Sequence, residues 1–407
     1  MEFPQTLSPV VLEKYSRELN NELEDILIYW LQNSLDRKKG GFYGAVGMNN
    51  KPDLMASKGV VLNSRILWTF SAAALAGMEE YEAVADRAYT YIEEKFRDKK
   101  YGGVYWSVSS QGQPLEEKKQ IYGLAFCIYG LAEYFKLTKK PAVLNFAIEL
   151  YALIEKYSYD QENGGYIEAF SREWKELDDL RLSEKDENEQ KTMNTHLHII
   201  EAYANLYSVW KNEKLKQKIK DLLSIFQKKI IDNKSGHLHL FMSESWEVKS
   251  KTWSFGHDIE ASWLLLECAY TIDDLDDIIY FEKKALELAE AAVEGSDKDG
   301  ALFHEVNYAK DILLKEKHWW QQAEAMVGFF NAWEITQDDM WLSKSVQVWE
   351  YVKNNLKDAE FGEWYWGLDE NNQIMSEDKI GFWKCPYHNA RACLEILKRL
   401  KRTIKVT

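Results

Sequence analysis

Asp98-Lys99-Lys100-Tyr101-Gly102-Gly103-Val104-Tyr105 is the stretch whose reading decides the fold, because the chain carries its pattern six times. An aspartate, a short spacer, glycine and an alternating aromatic and aliphatic run recur as Asp36…Gly40-Gly41-Phe42-Tyr43, Asp160…Gly164-Gly165-Tyr166-Ile167, Asp232…Gly236-His237-Leu238, Asp297…Gly300-Ala301-Leu302 and Asp358…Gly362-Glu363-Trp364. The first glycines stand 62, 62, 72, 64 and 62 residues apart. Asp bonds its own backbone, Gly supplies a positive φ and period-2 alternation follows, so each phrase predicts a turn leading into a short strand. A fixed period over the whole chain marks one supersecondary unit used repeatedly.

Between phrases there is room for two helices, and helical periodicity supplies them. The expected spans are 12–35, 59–76, 81–96, 121–135, 141–157, 195–210, 214–231, 259–269, 281–293, 323–333, 341–356 and 386–400. They alternate between a mostly polar and a mostly apolar kind. An amphipathic helix belongs on an outer layer, and one apolar nearly all round belongs inside. Twelve such helices close into an all-α fold, an (α/α)6 barrel with short β-hairpin loops at one end. The repeat leaves no room for an internal boundary, so residues 1–407 are read as a single domain. The phrases always run from an outer to an inner helix, which places a site at that end of the barrel.

Hydrophobic residues at 46% and charged residues at 29% fit a globular chain with ample core. A formal net charge of −15 opposes nucleic acid and anionic lipid as partners. Cys127, Cys268, Cys385 and Cys393 lack a paired spacing and suit reduced, buried thiols. Met1-Glu2-Phe3-Pro4 shows no secretory leader, and no apolar stretch is long enough to span a bilayer. A cytoplasmic, monomeric protein is expected. Aromatic residues reach 14% of the chain, a mild pointer to a carbohydrate ligand beside ordinary core packing.

At the starts of the inner helices stand Arg65, Tyr122, His198, His257, Trp320 and His388. Three of eight histidines therefore gather at one mouth. Near the start of its helix, His257 meets the positive end of the dipole, which disfavours imidazolium and keeps the ring able to accept a proton. Glu260 shares its face. In Asn194-Thr195-His196-Leu197-His198, residues two apart point to different sides, so Asn194, His198 and Glu201 face the lumen while His196 does not. Zinc held by the three histidines is geometrically open. His237 and His239 read as ordinary polar loop positions. Arg65 in an apolar helix needs a partner, either a structural carboxylate or an anionic oxygen of a substrate. Trp320 and Trp383 offer aromatic faces, or belong to the core.

Asn194-Thr195-His196-Leu197-His198, Ser254-Phe255-Gly256-His257-Asp258-Ile259-Glu260-Ala261-Ser262-Trp263, Trp319-Trp320-Gln321-Gln322-Ala323-Glu324-Ala325 and Cys385-Pro386-Tyr387-His388 resemble the signatures of the cellobiose 2-epimerases, within the N-acylglucosamine 2-epimerase superfamily. The resemblance covers almost the whole chain. It implies epimerisation at C2 of the reducing-end sugar of a β-1,4-linked disaccharide, without cofactor or metal. It further implies that His257 and His388 are the acid and base, that His198 assists ring opening, and that Arg65, Tyr122, Asn194 and Glu260 hold the reacting sugar. Trp320 and Trp383 would be its stacking platforms. Ser183 and Asp186, on the enlarged loop that lengthens one interval to 72, match further sugar-binding positions. A monosaccharide epimerase or aldose-ketose isomerase remains an alternative. A glycoside hydrolase using Glu260 and Glu324 is another, of a different class.

Overall fold

In a computed structural model of the chain, residues 9–406 are described. The Met1–Pro4 stretch and the extremities of the 1–407 span lie outside them. Twelve helices follow in order: α1 (Pro9–Asn33), α2 (Val60–Leu75), α3 (Glu82–Tyr91), α4 (Ile121–Thr138), α5 (Pro141–Tyr157), α6 (Met193–Val209), α7 (Glu213–Ile225), α8 (Phe255–Ile272), α9 (Leu275–Val293), α10 (Trp319–Thr336), α11 (Asp339–Tyr351) and α12 (Tyr387–Val406). The even-numbered helices pack each on the next, and α12 returns to α2, which closes an inner ring. Each odd-numbered helix lies outside, α3 on α2, α5 on α4 and so on, with α1 on α12. This is the expected (α/α)6 barrel.

The inner helices are buried because their sequences are apolar on nearly every side. In α2 all of Val60 to Ser71 is buried. The rear connections from inner to outer helix are short, and three of them turn through a left-handed residue: Lys139, Asp273 and Gln337, with φ of 55°, 53° and 56°. Three outer helices, α7, α9 and α11, then start on side-chain caps, such as Asn212 accepting from the Lys214 and Leu215 amides.

All six phrases fold alike. The first glycine has positive φ, from 71° at Gly164 to 91° at Gly300, where a side chain would be strained. Each phrase is closed by one antiparallel bridge, Leu35 to Phe42 being the first and Lys357 to Trp364 the last. The expected short strands are thus single bridges, and two- and three-residue strands follow just before five of the inner helices. Each strand pairs with the next repeat: Gly59 with Ser107, Gln120 with Ala169, Thr192 with Phe241, Ser254 with Glu305, and His318 with Gly367. Val46 with Ile380 completes the circle.

Beneath five phrases a buried lysine reaches back to the phrase aspartate. The pairs are Lys58–Asp36 at 2.9 Å, Lys119–Asp98 at 2.9 Å, Lys191–Asp160 at 2.6 Å, Lys317–Asp297 at 2.5 Å and Lys379–Asp358 at 2.5 Å. The fourth phrase uses another device. His237, expected as an ordinary loop position, is fully buried; its Nδ1 lies 2.7 Å from Asp258 and its ring stacks on Trp253. A buried imidazole needs a partner, and Asp258 also accepts the Leu238 amide. Among the described residues no helix is long and apolar enough to cross a membrane.

Candidate active site

The site lies at the long-loop end, where the first turns of the inner helices face one another. Three inner helices begin earlier than apolar periodicity places them: α6 at Met193, α8 at Phe255 and α10 at Trp319. The added first turns of α8 and α10 carry His257 and Trp320. A cleft of about 530 Å³ opens there, lined among others by Ser183, Asp186, Asn194, His257, Glu168 and Glu305.

On α6, His198 is 3% exposed and its Nδ1 lies 2.9 Å from Glu201 Oε2. His196 points away as expected: Nδ1 meets the Thr192 carbonyl and Nε2 accepts the Tyr166 amide at 3.0 Å, pinning the third phrase. On α8, the Nδ1 of half-buried His257 lies 2.9 Å from the Ser254 hydroxyl, and its ring centre is 4.8 Å from that of Trp320. Trp320 is also 5.8 Å from His388, so one indole touches both rings. The Nδ1 of His388 lies 2.6 Å from Glu324 Oε1.

Arg65 is 3% exposed, donates to the Tyr122 hydroxyl at 2.8 Å, and lies over the rings of Phe126 and Tyr387 at 4.2 and 4.9 Å. Among the described residues no carboxylate lies within ion-pair distance of it. That removes the structural salt bridge and leaves a cation held by π faces beside the histidines. Trp383 packs on Tyr122 and Trp106, with ring centres 5.9 Å apart in each case, and stays partly exposed like Trp320. Asn194 presents a buried Oδ1 that has no protein partner. Ser183 and Asp186 are brought to the cleft but turned towards each other, the Ser183 hydroxyl donating to Asp186 at 2.9 Å.

Burial pushes the three imidazoles down: His257 to about 3, His388 well below its ordinary value and His198 in the same direction. Neighbouring positive charge adds to this at His388, where Arg65 and Arg391 are close. All three rings therefore rest neutral near pH 7, each with one ring nitrogen free of hydrogen. Glu260 is driven the other way, up to about 8, by burial and then by the charge of Glu324, with Arg391 opposing.

Sequence reasoning missed Arg391. Its guanidinium is 1% exposed and meets Glu201, Glu260, Glu324 and the Tyr387 hydroxyl. The signal was present: a charge three residues past His388 on a helix face that turns inward requires partners. Glu260, Glu324 and His388 bring ligand atoms within 4.8 Å of one another, the spacing of a metal site, but Arg391 already supplies the positive charge to both carboxylates. Glu168 was missed as well. It is buried beside the cleft, accepts from the Thr192 and Thr195 hydroxyls, and is raised to about 7 by desolvation.

A larger cavity of about 700 Å³ opens at the opposite end of the barrel. None of the three candidate histidines lines it, and most of its charged side chains are already paired, Lys136 with Glu133, Lys398 with Glu395, Glu201 with Arg391 and Glu267 with Arg399. Of the three, His257 lines the smaller cleft.

A family profile described as N-acylglucosamine 2-epimerase (GlcNAc 2-epimerase) matches residues 41–392. The chain is 45% identical over 388 residues to the cellobiose 2-epimerase of Bacteroides fragilis, covering 95% of this chain and 99% of that one. The structure of a cellobiose 2-epimerase from Bacillus thermoamylovorans superposes with a TM-score of 0.90 at 38% identity, covering 95% and 100% of the two chains. That of Spirochaeta thermophila gives 0.92 at 36% identity, covering 98% and 100%.

Proposed function

The chain belongs to the N-acylglucosamine 2-epimerase family, and from that premise we propose that it is a carbohydrate isomerase of the cellobiose 2-epimerase type, inverting C2 of the reducing-end sugar of β-1,4-linked disaccharides. The observation that carries this reading is His257 and His388 set around a single tryptophan face, beside an arginine with no carboxylate partner. Two neutral imidazoles around one carbon suit removal of a proton from one face and its return to the other.

The reaction begins with the hemiacetal opening to an aldehyde, which makes the C2 proton acidic. His198, backed by Glu201, assists at the ring oxygen. One of His257 and His388 takes the C2 proton; the C2–H electron pair forms the C1–C2 double bond, and O1 becomes an enediolate oxygen. Arg65 and the Tyr122 hydroxyl stabilise that oxygen. The enediolate charge offsets the burial that keeps the second imidazole neutral, so that ring takes up a proton from water and delivers it to C2 on the opposite face; the C1–C2 π pair forms the new C2–H bond as an O1 lone pair re-forms the carbonyl, and the first imidazolium then returns its proton to water. Asn194 and Glu260 hold the sugar hydroxyls, while Trp320 and Trp383 carry the ring faces. No cofactor and no metal is required, and the barrel over residues 1–407 acts as one unit on a small disaccharide.

Glu260 and Glu324 do not suit hydrolysis. Both give an oxygen to the same Arg391 nitrogen, at 2.8 and 2.6 Å, so the guanidinium occupies the position a glycosidic bond would need. Incubation with cellobiose, lactose and mannobiose in D2O tests the assignment by proton NMR. The expected result is deuterium at C2 and the epimeric disaccharide; unchanged sugar, free monosaccharide or a ketose as sole product would overturn it.

Ser183 and Asp186 are assigned to the second sugar. Asp186→Ala removes an acceptor that also ties the Ser183 amide and hydroxyl. Losing about one hydrogen-bonded contact is expected to raise KM roughly tenfold with kcat within about twofold. Steady-state kinetics on a disaccharide and on its monosaccharide would separate this from a general loss, since the monosaccharide values should not move.

A further inference from the structure

Three carboxylates converge on one guanidinium directly behind the histidines. Arg391 meets Glu201 through Nη1, and donates from Nη2 to Glu260 Oε1 at 2.8 Å and Glu324 Oε1 at 2.6 Å. Its planar group lies over Tyr387 at 4.1 Å and Trp263 at 4.8 Å, and the Trp263 indole N–H reaches Glu324 Oε2 at 3.1 Å. Two of the carboxylates have a second contact. Glu201 Oε2 faces the Nδ1 of His198 at 2.9 Å, and Glu324 Oε1 faces the Nδ1 of His388 at 2.6 Å. His257 stands apart, its Nδ1 facing only a serine hydroxyl.

The protonation state of those carboxylates decides which ring nitrogen carries hydrogen. Against an ionised carboxylate an imidazole must present Nδ1–H, which leaves Nε2 as the bare acceptor. Against a protonated one the bond reverses, and Nε2 becomes N–H and useless as a base. Building on the epimerase reading, we propose that Arg391 is a positioning residue that sets the tautomers of His198 and His388 together, by keeping Glu201 and Glu324 ionised.

Charge balance supports this assignment. One guanidinium cannot hold three buried carboxylates ionised, so one of them keeps a proton. Glu260 is the carboxylate that does so, because it receives a hydrogen bond from Arg391 alone, whereas Glu324 Oε1 also faces His388. Glu201 is held down to about 2 against its burial, with Arg391 the largest opposing influence. Burial raises Glu324, and Arg391 is again the largest influence lowering it. Without the arginine, Glu324 would take up a proton and invert the ring it holds.

Nitrogen-15 NMR of the histidine-labelled full chain, without sugar, reads the tautomers directly, with His198→Asn and His388→Asn variants used to assign the signals. The expected result is Nδ1–H on both rings near pH 7; Nε2–H on either ring in the resting protein would overturn the proposal. In Arg391→Met both rings should shift toward Nε2–H. On the disaccharide its kcat should fall by about 100-fold or more while KM stays within about threefold. Arg391→Lys should recover part of kcat, because one ammonium can hold one carboxylate but not span the set. A lowered melting temperature with unchanged kcat and unchanged tautomers would reduce Arg391 to a structural group. Should Arg391→Met not fold, the wild-type tautomers still decide. Should no sugar turn over, the epimerase reading fails while the tautomer result stands on its own.

Discussion

His388→Asn is expected to lower kcat for C2 epimerisation by about 10³-fold or more, with the fold intact. A positioned general base contributes about 10² to 10⁴, and His388 combines a carboxylate behind its Nδ1 with a tryptophan beside its ring. Asparagine keeps a side-chain donor near Glu324, so the loss reads the missing base rather than a broken core. His257→Asn should be comparably inactive. The two variants differ in which epimer still exchanges its C2 proton with D2O, because each retains one imidazole on one face. A variant that interconverts both epimers at a wild-type rate would remove that histidine from the proton path. In the wild-type enzyme kcat/KM should hold as pH falls through 6.5, since burial keeps His257 and His388 neutral well below that value. On the alkaline side activity should decline from about pH 8, where Glu260 gives up its proton and places a second negative charge beside Glu324.

The largest effect on stability is expected from Lys379→Met. Lys379 is 0% exposed, reaches Asp358 at 2.5 Å and the Gly362 carbonyl at 2.6 Å, and among the described residues has the aspartate as its one ion-pair partner. Removing it strands a buried carboxylate, which typically costs about 3–5 kcal/mol. Urea unfolding followed by tryptophan fluorescence would measure the loss. Lys379→Met combined with Asp358→Asn should be less damaging than Lys379→Met alone, because asparagine still accepts the Glu360 and Phe361 amides without a charge. Asp358 is held below its ordinary value, its donors outweighing burial. Its contribution is therefore complete above the unfolded aspartate pKa, about 3.9, and is lost as pH falls through the lower folded value. The gap between wild type and Lys379→Met should close over that acid range. A gap that persists unchanged would mean that packing, not charge, supports the position.

Much of the architecture was legible because it is repeated. The aspartate and glycine of each phrase do locally what their chemistry dictates, and six copies at five similar intervals admit few closures other than a ring. Helix starts were less legible at α8 and α10 because the first turns hold Gly256, His257 and Gln321, residues chosen for contacts rather than for an apolar stripe. The lysine clamps follow their aspartates by 22, 21, 20 and 21 residues in the first, second, fifth and sixth phrases, and by 31 in the third, where the enlarged loop intervenes. That regularity was visible, yet a lysine in a polar segment reads as a solvated side chain. Only the closed ring shows that these five are covered. Among the site residues, those on the first turns of inner helices could be placed from position alone. For Arg391 the sequence signalled only that a charge on an inward face needs partners; which partners could not be read, because they are three carboxylates delivered by three other helices.

The packing of α1 on α12 gives the barrel a topological property of its own. Inner helix and following outer helix form a covalent hairpin five times around the ring, from α2–α3 to α10–α11; the sixth such pair, α12 with α1, is made by packing alone. The polypeptide therefore has a seam in its covalent path but none in its architecture. Every rear connection is topologically equivalent to that seam, which makes the fold a natural candidate for circular permutation: joining α12 to α1 and opening the chain between α6 and α7 would redraw the order of the repeats without moving a side chain of the site.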